Sequence, residues 1–315
     1  MKVSNVDMRD AFLDELYTIA RQDKRVVLLS ADFGAPSLDK FRKDLSDQYI
    51  NVGISEQSMV SIAAGLALSN KIVYTYAIMP FVTLRCYEQI KIDLCTMNLP
   101  VTTVGVGAGF AYNTAGPTHH SIEDIAVMRA LPNMMVLSPS DSIMASRFAQ
   151  ISYKRKGPTY VRLDRGRSPL FYSDKDDNFT SGLAVLKKSR DIYIISTGTM
   201  LQRALEVSDE LAQHAVDCGV IDLYRLKPVN TALLLDTIKE SKRIVSLEEH
   251  VINGGVGSIL AEVLSDAQVC KPLKRIAIMD ERCFGYAERK SLQASCGLDV
   301  VSVVNTILEW DKNVS

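Results

Sequence analysis

Glu56 is the first residue in this chain that invites a chemical reading, because it stands at the start of a helix built largely from small side chains. Gly53-Ile54-Ser55-Glu56-Gln57 runs into Ser58-Met59-Val60-Ser61-Ile62-Ala63-Ala64-Gly65-Leu66-Ala67-Leu68, where Ser58, Ser61, Ala63, Ala64, Gly65 and Ala67 allow a second backbone to approach closely. Ser55 suits an N-cap, which puts Glu56 in the first turn, where the helix dipole favours an ionised carboxylate. Capping alone would account for such a glutamate. The second candidate is the glycine-rich loop from Gly105 to His120, which ends in Gly116-Pro117-Thr118-His119-His120. Its glycines follow G-x-G-x-G rather than the G-x-G-x-x-G of dinucleotide sites, and no helix starts directly after it. A histidine at its end serves either as proton donor or hydrogen-bond partner to a substrate, or as a surface side chain.

Three further segments carry weaker signals. Phe81, just after an apolar run, could stack on a flat ligand or pack in the core. Arg165, within Arg162-Leu163-Asp164-Arg165-Gly166-Arg167, could grip a phosphate or carboxylate bidentately or belong to a solvated charge cluster. Asn253-Gly254-Gly255-Val256-Gly257-Ser258 has the look of a phosphate cradle. With no Gly-Lys-Ser/Thr beside it, tight turning and helix packing is the simpler reading.

The elements that must position these residues alternate. Strands are expected at Val26 to Ser30, Ile72 to Tyr76, Val101 to Val106, Met134 to Leu137 and Thr159 to Leu163, with helices near 7–22, 56–69, 83–97, 122–130 and 141–154. After a polar stretch from Ser168 to Gly182, further strands fall at Ile192 to Ser196, Val220 to Leu223, Ile244 to Leu247 and Arg275 to Ile278. The pattern predicts an α/β fold with parallel sheets flanked by helices. It divides the chain into a domain at 1–170, a linker at 171–182 and a second domain at 183–315. Loops at the carboxyl ends of parallel strands are where such sheets bind ligands, and the Gly105–His120 loop, Phe81 and Arg165 each follow an expected strand.

With 315 residues, 47% of them hydrophobic, the chain can fill two cores, and a net charge of -1 offers no basic face for nucleic acid. No uninterrupted apolar run approaches the length of a bilayer span, and Met1-Lys2-Val3-Ser4-Asn5-Val6-Asp7 lacks a signal-peptide core, so a cytoplasmic location is expected. Cys86, Cys95, Cys218, Cys270, Cys283 and Cys296 form no C-x-x-C pair and are read as reduced thiols, with no metal site implied.

In order along the chain, Ser30-Ala31-Asp32, Ala35-Pro36-Ser37, Gly53-Ile54-Ser55-Glu56-Gln57, Phe81 to Arg85, Tyr87-Glu88-Gln89, Gly116-Pro117-Thr118-His119, Leu131-Pro132-Asn133, Ser138-Pro139-Ser140-Asp141 and Gly157-Pro158-Thr159 are followed by Lys227-Pro228, Glu248-Glu249-His250 and Gly254-Gly255-Val256-Gly257-Ser258. This series resembles the second half of transketolase-type thiamine diphosphate enzymes, including deoxyxylulose phosphate synthases and split transketolases. The resemblance implies a pyrimidine-binding domain followed by a transketolase carboxy-terminal domain. It implies that Glu56 protonates the cofactor pyrimidine, so that the ring amine can take the thiazolium proton, and that Phe81 stacks on that ring. Asp32 and Arg85 are implied on the cofactor side. His119, Arg9, Arg165 and Ser37 are implied on the substrate side, with His119 facing substrate hydroxyls and the arginines facing a phosphate.

Two departures from the family pattern concern the substrate. Ala115 stands where transketolases carry an aspartate that contacts hydroxyls, and Gly107 stands where they carry a phosphate-binding histidine. The Gly-Asp-Gly motif that holds diphosphate and Mg²⁺ in these enzymes is missing from the sequence. The resemblance therefore implies a partner chain that supplies the diphosphate domain and the Mg²⁺ ligands. It further implies self-association through the small-residue helix, an α2β2 assembly, and transfer of a two-carbon ketol unit from a sugar or 2-oxo acid to an aldehyde or ketone. A 2-oxo acid dehydrogenase β subunit, an acetyl-transferring variant and a catalytically silent assembly subunit are the alternatives.

Overall fold

The computed structural model describes residues 3–173, 175–176, 178–280 and 285–314, which leaves Cys283 and, within the polar stretch, Asp174 and Asp177 outside the described residues. Two compact units result: Met1–Ala108 with Val127–Thr180, and Gly109–Ala126 with Ser181–Ser315.

In the first unit, β1 (Val26–Ser30), β2 (Tyr49–Asn51), β3 (Ile72–Ile78), β4 (Val101–Val106), β5 (Met135–Leu137) and β6 (Thr159–Leu163) are all parallel, in the order β5-β6-β4-β3-β1-β2. Every residue of β1, β4, β5 and β6 is buried, as expected of strands covered on both faces. The covering helices are α1 (Met8–Gln22), α2 (Pro36–Asp44), α3 (Glu56–Leu68), the short α4 (Met79–Val82) and α5 (Tyr87–Gln89), α6 (Asp124–Ala130) and α7 (Ser142–Lys154). Of these, α6 begins in the segment grouped with the second unit. Side chains cap the two long helices that pack together: Asp7 accepts from Asp10 N (2.8 Å) at α1, and Asp141 accepts from Met144 N (2.9 Å) at α7.

The helix expected over 83–97 is not continuous. It breaks into α4, α5 and a π-helix at Ile90–Thr96. Thr83 Oγ1 donates to Met79 O (2.6 Å) alongside the ladder bond from Thr83 N (3.0 Å), whereas Cys86 Sγ takes Phe81 O (3.2 Å) and Arg85 N, its regular ladder donor, goes to Pro80 O (3.2 Å) instead. Two elements, β2 and α2, fall outside the elements expected from sequence. β2 is only three residues long, and the buried Gln48 beside it uses Nε2 to bind the carbonyls of Ala20, Asp23 and Val26 (2.8–3.1 Å). The stretch from Ser168 to Gly182 is anchored as well. Asp141 Oδ2 accepts from the amides of Phe171 and Tyr172 (2.8 and 3.0 Å), and the buried Phe179 meets Tyr172 and Phe148 edge-on. Its polar composition conceals these aromatic anchors.

In the second unit, β7 (Leu183–Lys187), β8 (Ile192–Ser196), β9 (Cys218–Leu223), β11 (Arg243–Val251) and β12 (Leu273–Ile278) form a sheet in the order β12-β11-β8-β9-β7, parallel except for the β7–β9 pair. A short strand, β10 (Arg225–Lys227), lies between β9 and α9 in the chain. The helices are α8 (Met200–Gln213), α9 (Thr231–Ile238), α10 (Val256–Asp266), α11 (Arg289–Ser295) and α12 (Val300–Val314). The span Arg289–Lys312 is long and apolar enough to cross a membrane by composition. It is two helices parted at Gly297 (φ +70°), and Leu292, Leu298, Val303, Val304 and Ile307 are buried, so it forms part of the second core.

Candidate active site

In the first unit, candidate residues lie at the carboxyl ends of parallel strands: Asp32 after β1, Glu56 after β2 and Phe81 and Arg85 after β3, three neighbouring strands, with Arg165 after β6 on the far side of β4. Glu56 opens α3 and is buried, its side chain 5% exposed. Ser55 holds the N-cap position without capping, because its hydroxyl donates to Val52 O (2.8 Å). Arg85 Nη1 donates to Glu56 Oε2 (2.9 Å), while Oε1 has no hydrogen-bond partner among the described residues. The same guanidinium lies over the Phe81 ring, its Cζ 4.3 Å from the centroid, and Gln57 Nε2 donates to Arg85 O (3.1 Å). The irregular α4–α5 path brings Phe81 and Arg85 to one spot, four residues apart. The helix expected near 83–97 starts after Phe81 and so does not include this contact.

Asp32 is exposed, in the left-handed region at φ +51°. Asn51 Oδ1 accepts from both Asp32 N (3.1 Å) and Gly53 N (3.0 Å), so one side chain joins the ends of β1 and β2. Arg9 is enclosed by acids. Its Nε and Nη2 each donate to Asp10 at 3.0 Å, and Asp7 lies 3.4 Å from Nη2. The hydrogen bond to Asp10, with Asp7 nearby, holds the Arg9 guanidinium protonated against the opposing pull of burial. Burial comes first for Asp7 and pushes its carboxyl up. Ser37 Oγ joins the same group by donating to Asp10 Oδ1 (3.0 Å). A cleft of about 560 Å³ beside them is lined by Asp7, Asp10, Asp14, Ser37, Lys40 and Arg167, among others. Arg165 is exposed before the Gly166 turn (φ +92°), and its amide donates to Asp164 Oδ1 (2.6 Å).

The loop after β4 separates the two histidines by role. His120 is 3% exposed; its Nε2 donates to Asn113 O (3.0 Å) and its ring meets Phe110 edge-on at 5.0 Å, so it braces the loop from inside. His119 is half-buried, with Nδ1 2.9 Å from Thr118 Oγ1 and its ring 5.8 Å from that of Tyr112. Ala115 is exposed. Gly107 sits at φ +103°, a conformation in which a histidine would be strained.

The glycine-rich turn before α10 is filled by the protein itself. Glu248, 1% exposed, accepts from Val256 N (2.6 Å) and Gly257 N (2.8 Å), and a Cβ at Gly255 would lie 1.9 Å from Glu248 Oε2. The glycines make room for a buried carboxylate at the helix start, in line with turning and packing rather than a phosphate cradle. Sequence reasoning gave no role to Asn51, Gln57, Tyr286 and Arg289. Of the residues left without a role, only Gln57 and the Glu248-Glu249-His250 run belong to a motif visible in the sequence. Among the described residues no group of three or more His, Cys, Asp or Glu is placed to hold a metal ion.

A parallel α/β unit with a buried acid, an aromatic and an arginine at its carboxyl edge, followed by a second α/β unit, defines a transketolase-type chain. The pyrimidine-binding domain model of transketolase matches residues 4–169 and the transketolase C-terminal domain model residues 182–303, and the chain belongs to this family. It is 35% identical over 306 residues to one subunit of the apulose-4-phosphate transketolase of Phocaeicola vulgatus, covering 96% of this chain and 97% of that protein. It is 34% identical over 281 residues to the 6-deoxy-6-sulfo-D-fructose transketolase subunit SqwH of a Clostridium species, covering 88% and 86%. Among solved structures, a split-gene transketolase described as an inactive β4 tetramer superposes with a TM-score of 0.86 at 29% identity, covering 97% of this chain and 98% of the other.

Proposed function

We propose that this chain is the pyrimidine-side subunit of a two-chain, thiamine diphosphate-dependent transketolase that moves a two-carbon ketol unit to an aldehyde or ketone acceptor. The observation that carries the reading is the buried Glu56 carboxylate, held by Arg85 through one oxygen, with the other left for a ligand. That donor set fits the cofactor: an acid facing a ring nitrogen beside an aromatic, Phe81, on which a flat heterocycle can rest. Glu56, Phe81, Arg85 and Asp32 would hold it. When bound, thiamine diphosphate supplies the electron sink that makes a donor carbonyl carbon nucleophilic.

The chain's own residues do the rest. Glu56 would hold a proton at Oε1 for the bound cofactor, and Arg85 fixes the carboxyl group through Oε2. His119 binds a substrate hydroxyl and exchanges its proton. Arg9, with Nε and Nη2 engaged by Asp10, retains Nη1 for an anionic substrate end, which Arg165 meets from the turn at Gly166. The relatives named for a sugar phosphate and a sulfosugar support a substrate with an anionic end.

Relatives named as single subunits of transketolases, and a β4 tetramer described as inactive, support dependence on a second chain that brings the diphosphate and Mg²⁺ ligands. The outward stripe Ser58, Ser61, Ile62, Gly65 and Leu68 of α3 is the proposed self-association face within an α2β2 assembly. The test is reconstitution. Alone, the chain should bind thiamine diphosphate weakly and transfer nothing; with its partner it should transfer a ketol unit. Full transfer by the isolated chain would refute the two-chain reading.

A further inference from the structure

The substrate loop is held at its base and at its tip by residues far along the chain. At the base, Gly109 and Ser121 exchange backbone hydrogen bonds (2.9 Å each way), closing the loop between them. Gly109 (φ +58°) rests on the buried Glu249, where a Cβ would lie 2.1 Å from Oε2, so the loop sits directly against that carboxylate. Glu249 is itself fixed: Arg289 donates through Nε (3.1 Å) and Nη2, and Gln293 Nε2 donates at 2.8 Å. Just beyond the base, Val251 N donates to Ile122 O (2.8 Å). His250 holds Ala126: its Nδ1 lies 2.7 Å from Val251 O and must carry the proton, which leaves Nε2 to accept from Ala126 N (3.3 Å).

At the tip, Gly116 (φ +79°) lies against the Tyr286 ring, where a Cβ would stand 2.1 Å from Cε1. Asn113 Nδ2 donates to Glu288 Oε2 (2.9 Å). Tyr286 is 76% exposed, so its ring is held there without being part of a core. Gly116 O in turn accepts from His119 N (2.9 Å), which links the Tyr286 contact to the histidine by a single turn.

We infer that Tyr286 and Glu288, with the Glu249–Arg289 pair beneath them, are positioning residues that set how His119 is presented to substrate. This makes the second unit a working part of substrate binding, and it rests on the proposed role of His119. Tyr286 acts through its ring face, Glu288 through one hydrogen bond, and Glu249 through a buried, fully partnered carboxylate.

Two measurements test this, using variants at exposed positions that leave both cores intact. In the isolated chain, hydrogen exchange of the peptide spanning Gly109–Ser121 is followed by mass spectrometry in Tyr286→Ala, Tyr286→Phe and Glu288→Gln. Exchange should rise about 10-fold in Tyr286→Ala and Glu288→Gln, as for loss of one ordinary contact, and stay at the wild-type rate in Tyr286→Phe, which keeps the ring. In the reconstituted enzyme the same two variants should raise KM for the sugar donor by about 10-fold, leaving half-saturation by thiamine diphosphate unchanged. Unchanged exchange in the loop overturns the inference. So does faster exchange with unaltered donor KM, because the contacts would then serve stability alone. If the wild-type pair transfers no ketol unit, the proposed function fails separately, and the exchange rates still decide whether the strap holds the loop.

Discussion

Replacing Glu56 with Gln separates the chemical role of this residue from its structural one. The side chain keeps its size and an oxygen to accept from Arg85, and loses both the carboxylate charge and the capacity to take up and release a proton. The pair joins a 5% exposed carboxylate to a 44% exposed guanidinium. With one partner open to solvent, such a pair contributes about 0.2–1 kcal/mol, and removing a buried charge also relieves its desolvation. Unfolding free energy should therefore change by about 1 kcal/mol or less in either direction. Catalysis should fall much further. Loss of a positioned acid costs about 10²- to 10⁴-fold, equivalent to about 2.7–5.5 kcal/mol of barrier. The assay is ketol transfer by the reconstituted pair, alongside urea unfolding of the isolated variant. Activity within about threefold of wild type would refute the assignment of Glu56 as the acid. A loss of stability large enough to match the loss of rate would show that the residue is structural.

Other outcomes follow from the same geometry. Glu248→Ala strips the α10 amides of their acceptor and should cost about 2–4 kcal/mol in chemical unfolding, with no change in binding of inorganic phosphate. Asp23 lies below the usual carboxylate range, chiefly through hydrogen bonds from Arg25. Its stabilisation is therefore present above the unfolded Asp value near about 3.9 and fades as pH falls below it. Asp23→Asn should lower the melting temperature modestly at pH 7, since Arg25 is 53% exposed, and the gap to wild type should close on acidification. Burial pushes the Cys86 and Cys218 thiols up to about 12, so iodoacetamide at pH 8 should modify the exposed Cys270 first and reach those two only on unfolding, as read by peptide mass spectrometry.

The strands of both sheets were legible because buried parallel strands read as short apolar runs: Val26–Ser30, Val101–Val106, Thr159–Leu163 and Ile192–Ser196 coincide with β1, β4, β6 and β8. Two edge strands, β2 and β7, were not. β2 has only three residues, and β7 is an antiparallel edge strand with one buried residue, so neither reads as a buried apolar run. Ser55-Glu56 read as a helix start, and the helix does start there, but the hydroxyl found a nearer carbonyl at Val52. Arg85 was visible only as part of a motif, because its pairing with Glu56 joins residues 29 apart in the chain that only the fold brings together. Tyr286, Glu288 and Arg289 could not be tied to the loop at Asn113–Gly116, since some 170 residues of chain separate contacts that only the fold brings together.

The segment Gly109–Ala126 leaves one compact body, joins the other, and returns. A cut at the polar stretch near Ser173 divides the gene neatly and the molecule badly. A fragment ending there would carry the histidine loop without Glu249 or Tyr286 to rest on. A chimera joined there, with the carboxy-terminal half of a relative, would set a native loop on a foreign seat. Recombination between related copies at this point would therefore mismatch two surfaces that have to fit. On the proposed role of the histidine loop, both halves of the chain are inherited together for substrate binding, and libraries built by half-exchange should lose donor recognition before they lose folding.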